Sequence, residues 1–430
     1  MRHPSPKRVP ALDVEWEILT AATANALRRP QVTPRLDHLL SLSVDWPRLR
    51  ELTEKHCVVA PIYRGLEPYL NRLPHQFAED LEGRFRLNQA RNRRLMSELA
   101  RVARLLRGNG IEIIPYKGPE MAARCYGDPA LRQFKDLDFL IRKADLARVC
   151  ALLSADGYES EMPMGARHQA YRERHFKDWS FVRRDVPGSA QSLPDLRPHT
   201  HPKYQTLILE PHWSITARRF HLPLDYAGLW QRSGMRDLEG TPLLEMAPED
   251  LVLMICVNAC KGGCPRLQLV ADIAAAMHSF DASVWQAALN RARQIDAKRI
   301  LLLSTRLAEH LLHAPMPAPL RAAEHEDSAL PRLTKLAISR MQRGTNRFAA
   351  ARLTGMNRLT FFIWEQHRNK IRYLYESATE PKYWHLTHLP LPRPLHGLYR
   401  LMVPLVDSLR FLRRLVRGMS GPTTPNAGSG

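Results

Sequence analysis

Apolar and polar residues follow two different periods along this chain. Up to about residue 110 the apolar positions recur at helical spacing, and the longest such stretch runs from Pro74 to Asn109. Between residues 111 and 246 the apolar runs are short and typical of strands, and from Pro248 onward helical spacing returns. The pattern therefore predicts an α+β fold in which N-terminal and C-terminal helical regions flank a small sheet.

Breaks in this pattern divide the chain into four parts. We predict an N-terminal helical region (1–110), a core (111–246), a helical subdomain (247–314) and a basic helical C-terminal region (315–430). A Pro-, Ser- and His-rich segment at about 185–203 is predicted to be a loop insertion in the core. The last ten residues have the composition of a disordered end.

The core opens with a strand, a tight turn and a helix. The strand, Ile111 to Pro115, is followed by Tyr116-Lys117-Gly118 and then by Pro119, which suits the first turn of a helix. A glycine at this position lets a phosphate approach the free backbone N–H groups of a helix N-terminus. The turn is therefore a candidate phosphate-binding element.

A second strand, Asp136 to Ile141, carries two acids on one face. Strand side chains alternate, so the carboxylates of Asp136 and Asp138 lie about 7 Å apart, and a divalent cation such as Mg²⁺ can relieve their repulsion. Glu210 supplies a third acid at the end of another apolar run, with His212 on the same face. Because Pro211 cannot donate to a ladder, this run is predicted to be an edge strand or to end there. A further strand between Phe176 and Arg184 is expected to pair with it.

The order of these motifs resembles that of a known protein family, the uncharacterised nucleotidyltransferase family of the DNA polymerase beta-like superfamily. The shared motifs are the Lys117-Gly118 turn, Arg132-x-x-x-Asp136-x-Asp138, Asp156-Gly157-Tyr158 and Glu210-x-His212-Trp213. The resemblance covers residues 40–310 approximately and implies a small mixed-sheet nucleotidyltransferase core. The turn departs from the wider superfamily, which has Gly-Ser or Gly-Gly there and a shorter gap than the 18 positions from Gly118 to Asp136.

The resemblance implies a metal-dependent transfer of a nucleoside monophosphate, with AMP from ATP as the expected case. Asp136, Asp138 and Glu210 would be the catalytic acids and the ligands of Mg²⁺ or Mn²⁺. The residues expected to bind the nucleoside triphosphate or to orient the acids are Lys117, Gly118, Arg132, Lys135 and His212. The acceptor would be a hydroxyl group of a protein, a peptide, an RNA or a small metabolite.

Other interpretations of the same residues stay open. Asp136 and Asp138 can pair with basic neighbours on a surface strand, and His212 can be a buried structural histidine. Two other functions fit the motifs: a nucleic-acid-binding protein with an inactive fold of this type, and a related phosphotransferase that moves the γ-phosphate. The intact set of acids argues against the first of these. Asp272 is expected to be a buried helix residue that pairs with an arginine.

Positive charge is concentrated near the C-terminus. The net charge is +20 at pH 7, and residues 331–430 hold 17 Lys and Arg but 4 Asp and Glu. Such a region is typical of proteins that bind RNA, DNA or an anionic membrane surface, although a solvated basic surface gives the same count. Three helices are predicted there: Ser328 to Arg343, Phe361 to Glu376 and Pro404 to Arg417. The apolar side of the last helix, with Leu405 and Leu409, is expected to pack against its own domain or else to lie on a membrane.

Several classes of site and location are disfavoured. The six cysteines contain no Cys-x-x-Cys pair, so we expect a reduced, cytoplasmic protein, with peripheral contact to the inner membrane face as an option. Cys256, Cys260 and Cys264 are expected to pack in the core, and His199 and His201 to be exposed loop residues, rather than to bind metal. The composition of the first ten residues is not that of a signal peptide, and no run of about 18 apolar residues predicts a membrane span.

Overall fold

The computed structural model describes residues 13–28, 30–161, 171, 173, 176–184, 206–220, 222–343 and 358–419. Helices precede and follow a small mixed sheet within these ranges, which confirms the predicted α+β fold with flanking helical regions. The predicted loop at 185–203, with His199 and His201, lies outside the described residues, as does the predicted disordered end. The boundaries of the four predicted parts stay predictions.

Five helices precede the sheet: α1 (Val14–Ala26), α2 (Pro34–Ser41), α3 (Trp46–Lys55), α4 (Val59–Leu66) and α5 (His75–Gly108). Asp13 and Asp45 begin α1 and α3, because their carboxylates accept backbone N–H groups of the first turn. Arg91 of α5 is buried and donates to the carbonyls of Phe134 and Lys135. The long helix therefore fixes the segment that leads into the acidic strand.

The sheet has five strands in the order β1 (Ile114–Pro115), β2 (Leu137–Leu140), β5 (Leu207–His212), β4 (Phe181–Arg183) and β3 (Glu159–Ser160). The β2–β5 pair is parallel and the other pairs are antiparallel. Helix α6 (Pro119–Tyr126) links β1 to β2, and α7 (Leu146–Ala155) follows β2. One apolar cluster joins α5, α7 and the sheet through residues such as Leu99, Val149 and Phe139.

The strand of Glu210 lies in the middle of the sheet, so the edge-strand option is wrong and the strand-end option is right. Pro211 is the last but one residue of β5, and its carbonyl accepts the Trp179 N–H at 3.1 Å. Because proline has no N–H, one hydrogen bond of the sheet is missing here, close to the end of the strand. The expected pairing of this strand with the Phe176 to Arg184 segment is confirmed, because β4 is its antiparallel neighbour.

A two-stranded hairpin lies outside the predicted elements. It consists of β6 (Gly234–Leu238) and β7 (Thr241–Glu245), and it follows α8 (Tyr226–Arg232). Glu239 and Gly240 form its turn with φ angles of 51° and 75°. A two-residue hairpin turn requires such positive φ values, but Glu-Gly is a weaker signal for it than Asn-Gly or Asp-Gly. The sequence therefore marks this hairpin poorly.

Ten further helices complete the described chain: α9 (Pro248–Lys261), α10 (Leu267–Ser279), α11 (Ala282–Gln294), α12 (Lys298–Leu312), α13 (Ala318–Glu324), α14 (Leu330–Arg343), α15 (Arg358–Ile363), α16 (His367–Thr379), α17 (Tyr383–His388) and α18 (Tyr399–Met419). Helices from both ends of the chain share one large apolar core. Cys256, Cys260 and Cys264 are fully buried in it, as predicted.

Two predicted helices of the C-terminal region need correction. The segment from Phe361 to Glu376 is not one helix, because it is interrupted between α15 and α16, where Arg299 donates to the carbonyls of Phe362 and Trp364. The last helix begins at Tyr399 and continues through Pro404. None of the helices in the described ranges is both long enough and apolar enough to cross a membrane.

Candidate active site

The register of the two parallel strands aligns two of the predicted acids. Asp138 of β2 is opposite Glu210 of β5, and Leu140 is opposite His212. Because side chains two residues apart on a strand share a face, Asp138, Glu210 and His212 project to the same side of the sheet. One ligand atom from each of these three residues lies within 4.8 Å of the other two.

Asp138 is the most heavily contacted acid of this group. Its carboxylate is buried, and its Oδ1 accepts a hydrogen bond from Lys117 Nζ at 2.6 Å. Nε2 of His212 lies 2.8 Å from the same oxygen, a hydrogen-bond distance at which the ring donates to the carboxylate. Burial alone would raise the pKa of Asp138, but Lys117 and His212 outweigh it and hold this pKa well below its usual value. Asp138 is therefore ionised at neutral pH.

His212 connects three acids from a fully buried position. Its Nε2 lies 3.6 Å from Glu210 Oε2, and its Nδ1 lies 3.7 Å from Asp178 Oδ2. The Tyr116 ring packs edge-on against the imidazole with 5.3 Å between the ring centroids. The buried position of the ring fits the interpretation of His212 as a structural histidine, and its short distances to Asp138 and Glu210 would allow it to orient these acids. The predicted role of His212 in the site stays a prediction.

The Lys117-Gly118 turn leads from β1 into α6, as predicted. Gly118 has a φ of 68° and a ψ of −138°. Residues other than glycine rarely adopt this backbone conformation. Because β1 pairs with β2, the turn places Lys117 beside Asp138. The predicted role of Gly118 in binding phosphate stays a prediction.

Asp136 precedes β2 and lies at the edge of the group. Its carboxylate is 3.4 Å from Lys135 Nζ, and the Lys135 side chain is largely exposed. Burial raises the pKa of Asp136, and the nearby charges of Asp138 and Glu210 raise it further. Within the described ranges, Asp138, Glu210 and His212 bring potential metal-ligand atoms close enough together to hold one ion. Asp136 is not part of this group.

Arg132 lies in a different cluster. Its guanidinium donates to both carboxylate oxygens of Asp272, at 2.8 and 3.0 Å, and both side chains are buried. The Tyr126 hydroxyl donates to Asp272 at 2.7 Å. The expectation that Asp272 pairs with an arginine is therefore confirmed. A phosphate contact by Arg132 stays a prediction.

Three charged residues near the acids were not selected from the sequence. Asp178 forms a β-bridge with His212 and an ion pair with Lys177. Burial would raise the pKa of Asp178, but His212 and Lys177 outweigh it and lower this pKa. The predicted pairing of the Phe176 segment with the Glu210 strand was the signal that could have located both residues, because it places them beside His212.

Lys261 is the third of these residues and ends helix α9. Burial, together with the charges of Lys117 and Lys177, lowers its pKa to about 7, although Asp138 and Asp178 act in the opposite direction. These four charges are therefore close enough to Lys261 to affect its protonation. Within the described part of the chain, Lys261 has neither a hydrogen bond nor an ion pair to its side chain. No local sequence signal identifies it, since it is simply the last residue before Gly262.

The donor set and the surrounding charges fit a metal and a phosphate ligand. Asp138 and Glu210 offer the hard carboxylate oxygens that Mg²⁺ and Mn²⁺ prefer, within reach of one another. Lys117 and Lys177 supply positive charge around these acids, and Lys261, with a pKa of about 7, is partly protonated at neutral pH. An anion with several negative charges, such as a triphosphate, is the complementary ligand.

Comparisons with known proteins agree with this chemistry. The model of a family described as uncharacterised nucleotidyltransferase matches residues 43–313, which is more than half of the chain and includes every residue of the site. Comparisons with curated proteins and with solved structures return no match.

Proposed function

The chain belongs to the uncharacterised nucleotidyltransferase family, and from this membership and the geometry of the acids we propose that it transfers a nucleoside monophosphate to a hydroxyl group. The expected donor is ATP, with AMP as the transferred group. The observation that carries the proposal is the parallel register that sets Asp138 opposite Glu210 beside a buried histidine.

Asp138 and Glu210 would hold the divalent metal, with Asp136 as a further ligand next to them. When bound, Mg²⁺ or Mn²⁺ would stabilise the negative charge that develops on the phosphate oxygens. Asp138 suits this role because its low pKa keeps it ionised. His212 acts as a positioning residue, since its ring donates to Asp138 and is held by Tyr116.

The proposed reaction is an in-line substitution at the α-phosphorus. The acceptor oxygen forms a bond to this phosphorus, the bond to the oxygen that bridges to the β-phosphate breaks, and pyrophosphate leaves. Glu210 is the candidate to take the proton from the acceptor hydroxyl, because its carboxylate is about a quarter exposed whereas Asp138 is buried.

Lysines are the proposed ligands of the β- and γ-phosphates. Lys117 lies at the turn before the α6 N-terminus, where Gly118 allows close approach to the backbone. Lys177 pairs with Asp178 and lies 3.5 Å from His212 Nδ1. The charges of Lys117 and Lys177 both affect Lys261, whose side chain has no hydrogen bond or ion pair among the described residues. Lys135, exposed next to Asp136, is available to the rim of the same site.

The acceptor is proposed to be a hydroxyl of a protein, a peptide, an RNA or a small metabolite. The basic C-terminal region is proposed to bind a separate anionic partner, because its charge lies outside the residues that form the site.

Labelled ATP tests the reaction directly. The full chain is incubated with Mg²⁺, candidate acceptors and ATP labelled at either the α- or the γ-phosphate, and the acceptor is analysed by mass spectrometry. We expect label from α-labelled ATP alone on the acceptor, with release of pyrophosphate. Asp138→Asn serves as the matched inactive variant.

Two results would overturn this proposal. Transfer of the γ-label would make the protein a phosphotransferase. Salt-dependent RNA binding that is equal in wild type and Asp136→Ala, without any ATP turnover, would identify a nucleic-acid-binding protein that keeps the fold but not the chemistry.

A further inference from the structure

Exposed apolar side chains are concentrated near the C-terminus of the described chain. Twelve large apolar residues are exposed in the described ranges, and nine of them lie between residues 371 and 411. These nine are Ile371, Leu374, Tyr375, Leu395, Leu398, Leu401, Leu405, Leu409 and Phe411. Such a concentration on one part of a surface is typical of an interaction site.

Helix α18 carries the clearest part of this surface. Tyr399 and Val403 are buried in a small apolar cluster, and Asp407 pairs with Lys382 at 2.8 Å. Leu401, Leu405 and Leu409 follow one another at four-residue spacing and are 68%, 66% and 58% exposed. Since residues four apart share a helix face, these three leucines form a row on the side away from Val403. The prediction that this side packs against its own domain is therefore wrong for Leu405 and Leu409.

A neighbouring helix extends the apolar surface. Helix α16 exposes Ile371, Leu374 and Tyr375. Arg400 of α18 donates to the Tyr375 hydroxyl at 2.6 Å and lies over its ring, so the two helices are in contact at this surface.

The charge of this region indicates which kind of partner binds the exposed apolar surface. Residues 358–419 hold eleven Lys and Arg and four Asp and Glu, a net charge of +7. Arg368, Arg393 and Arg413 are exposed in the same part of the sequence as the apolar residues, and Arg413 follows Leu409 at the four-residue spacing of the leucine row. RNA phosphates would satisfy the arginines but offer nothing to a row of leucines, whereas an anionic bilayer offers both a charged surface and an apolar interior.

We infer that α16 and α18 form a membrane-docking surface that binds an anionic lipid bilayer, with Leu401, Leu405 and Leu409 inserted at its interface. The leucines supply the apolar contact and the exposed arginines bind the lipid headgroups. Docking of this kind is peripheral, and it uses none of the residues that form the β2–β5 site. The inference does not depend on nucleotide transfer.

Flotation with lipid vesicles tests this surface in the full chain. Vesicles of phosphatidylcholine alone are compared with vesicles that also contain phosphatidylserine. We expect binding to the anionic vesicles only, and a loss of at least about tenfold in affinity for the triple variant Leu401→Gln, Leu405→Gln, Leu409→Gln. The matched control is Val32→Gln, Met235→Gln, Leu336→Gln, which changes the three exposed apolar residues outside this surface and should bind as wild type does.

Three results would overturn the inference. The first is that the leucine variant has a thermal melt like that of wild type and binds anionic vesicles as tightly as wild type does. Labelled RNA would bind wild type and the leucine variant equally while vesicles bind neither. Sedimentation would show a dimer that the leucine substitutions dissociate and no vesicle binding, which would make a second copy of the chain the occupant.

Discussion

Two buried charge clusters lie on opposite ends of the segment from Arg132 to Asp138, and they differ in how completely their groups are paired. Arg132 uses two N–H groups on the two oxygens of Asp272, and Tyr126 adds a third hydrogen bond. Around Asp138 the groups are crowded but incompletely paired, since Asp136 and Glu210 repel each other and Lys261 has no partner in the described ranges.

The difference indicates what each cluster does. The Arg132–Asp272 pair is buried, its two charges offset each other, and its bidentate hydrogen bonds tie the segment before β2 to α10. In the second cluster some carboxylates and one lysine side chain lack a partner of opposite charge, so a bound cation and a bound anion would stabilise it. Charged groups without such partners are typical of active sites. The two clusters therefore predict opposite responses to neutralisation.

Neutralising Asp138 should give the largest effect on activity. We expect Asp138→Asn to lower nucleotide transfer by more than about 1000-fold, because metal stabilisation of the transition state is worth several kcal/mol. The variant should still fold, because the amide oxygen can still accept from Lys117, but its thermal melt should be somewhat lower than that of wild type, because the charge interactions that hold the pKa of Asp138 low are lost. Transfer assays with α-labelled ATP and calorimetry measure the two quantities.

Glu210→Gln is the companion variant for this prediction. It should also lower transfer strongly and leave the fold intact, because its carboxylate faces the same site. If Asp138→Asn unfolds, Asp138 is needed for the fold, as Asp272 is. Full activity in Glu210→Gln would remove Glu210 from the metal site.

The sequence predicted the strands and acids of the site better than it predicted their surroundings. Period-two alternation and the order of motifs located Asp138, Glu210 and His212, because these signals are local or belong to the family pattern. Lys261 ends α9, more than a hundred residues after Lys117, so only tertiary structure can bring the two charges near each other.

The same limit explains the errors elsewhere in the fold. The position of β5 within the sheet depends on which strands pair with it, and Pro211 alone could not decide between a strand end and an edge. The pattern of α18 placed Leu405 and Leu409 on one side of the helix, as the structure does, but it did not show on which side the rest of the chain would pack. Both depend on tertiary contacts that have no local signal.

Neutralising Arg132 should give the largest effect on stability. Arg132→Met leaves the Asp272 carboxylate buried without its ion-pair partner, which we expect to lower the free energy of unfolding by about 3 kcal/mol. Denaturant-induced unfolding, followed by circular dichroism, measures this change. The double variant Arg132→Met, Asp272→Leu should recover part of the loss, because the uncompensated charge is gone.

The double variant also separates the two roles considered for Arg132. If Arg132 is structural, transfer per folded molecule should stay near wild type once stability is restored. A variant that is stable but transfers poorly, with weaker ATP binding, would instead support the phosphate contact predicted from the sequence.

Neutralising Lys261 should give the smallest of the three effects. If its unpaired ammonium group binds the triphosphate, Lys261→Met should weaken ATP binding by about tenfold, the value of one charge-assisted hydrogen bond, and AMP binding much less. Stability should not fall, because removing a half-buried charge that lies near Lys117 and Lys177 relieves repulsion. Lys143→Met, an exposed lysine outside the site, is the matched control in calorimetric titrations with ATP and AMP. Equal ATP affinity in both variants would show that Lys261 does not contact the phosphates, and a loss that is equal for ATP and AMP would place it elsewhere in the nucleotide site.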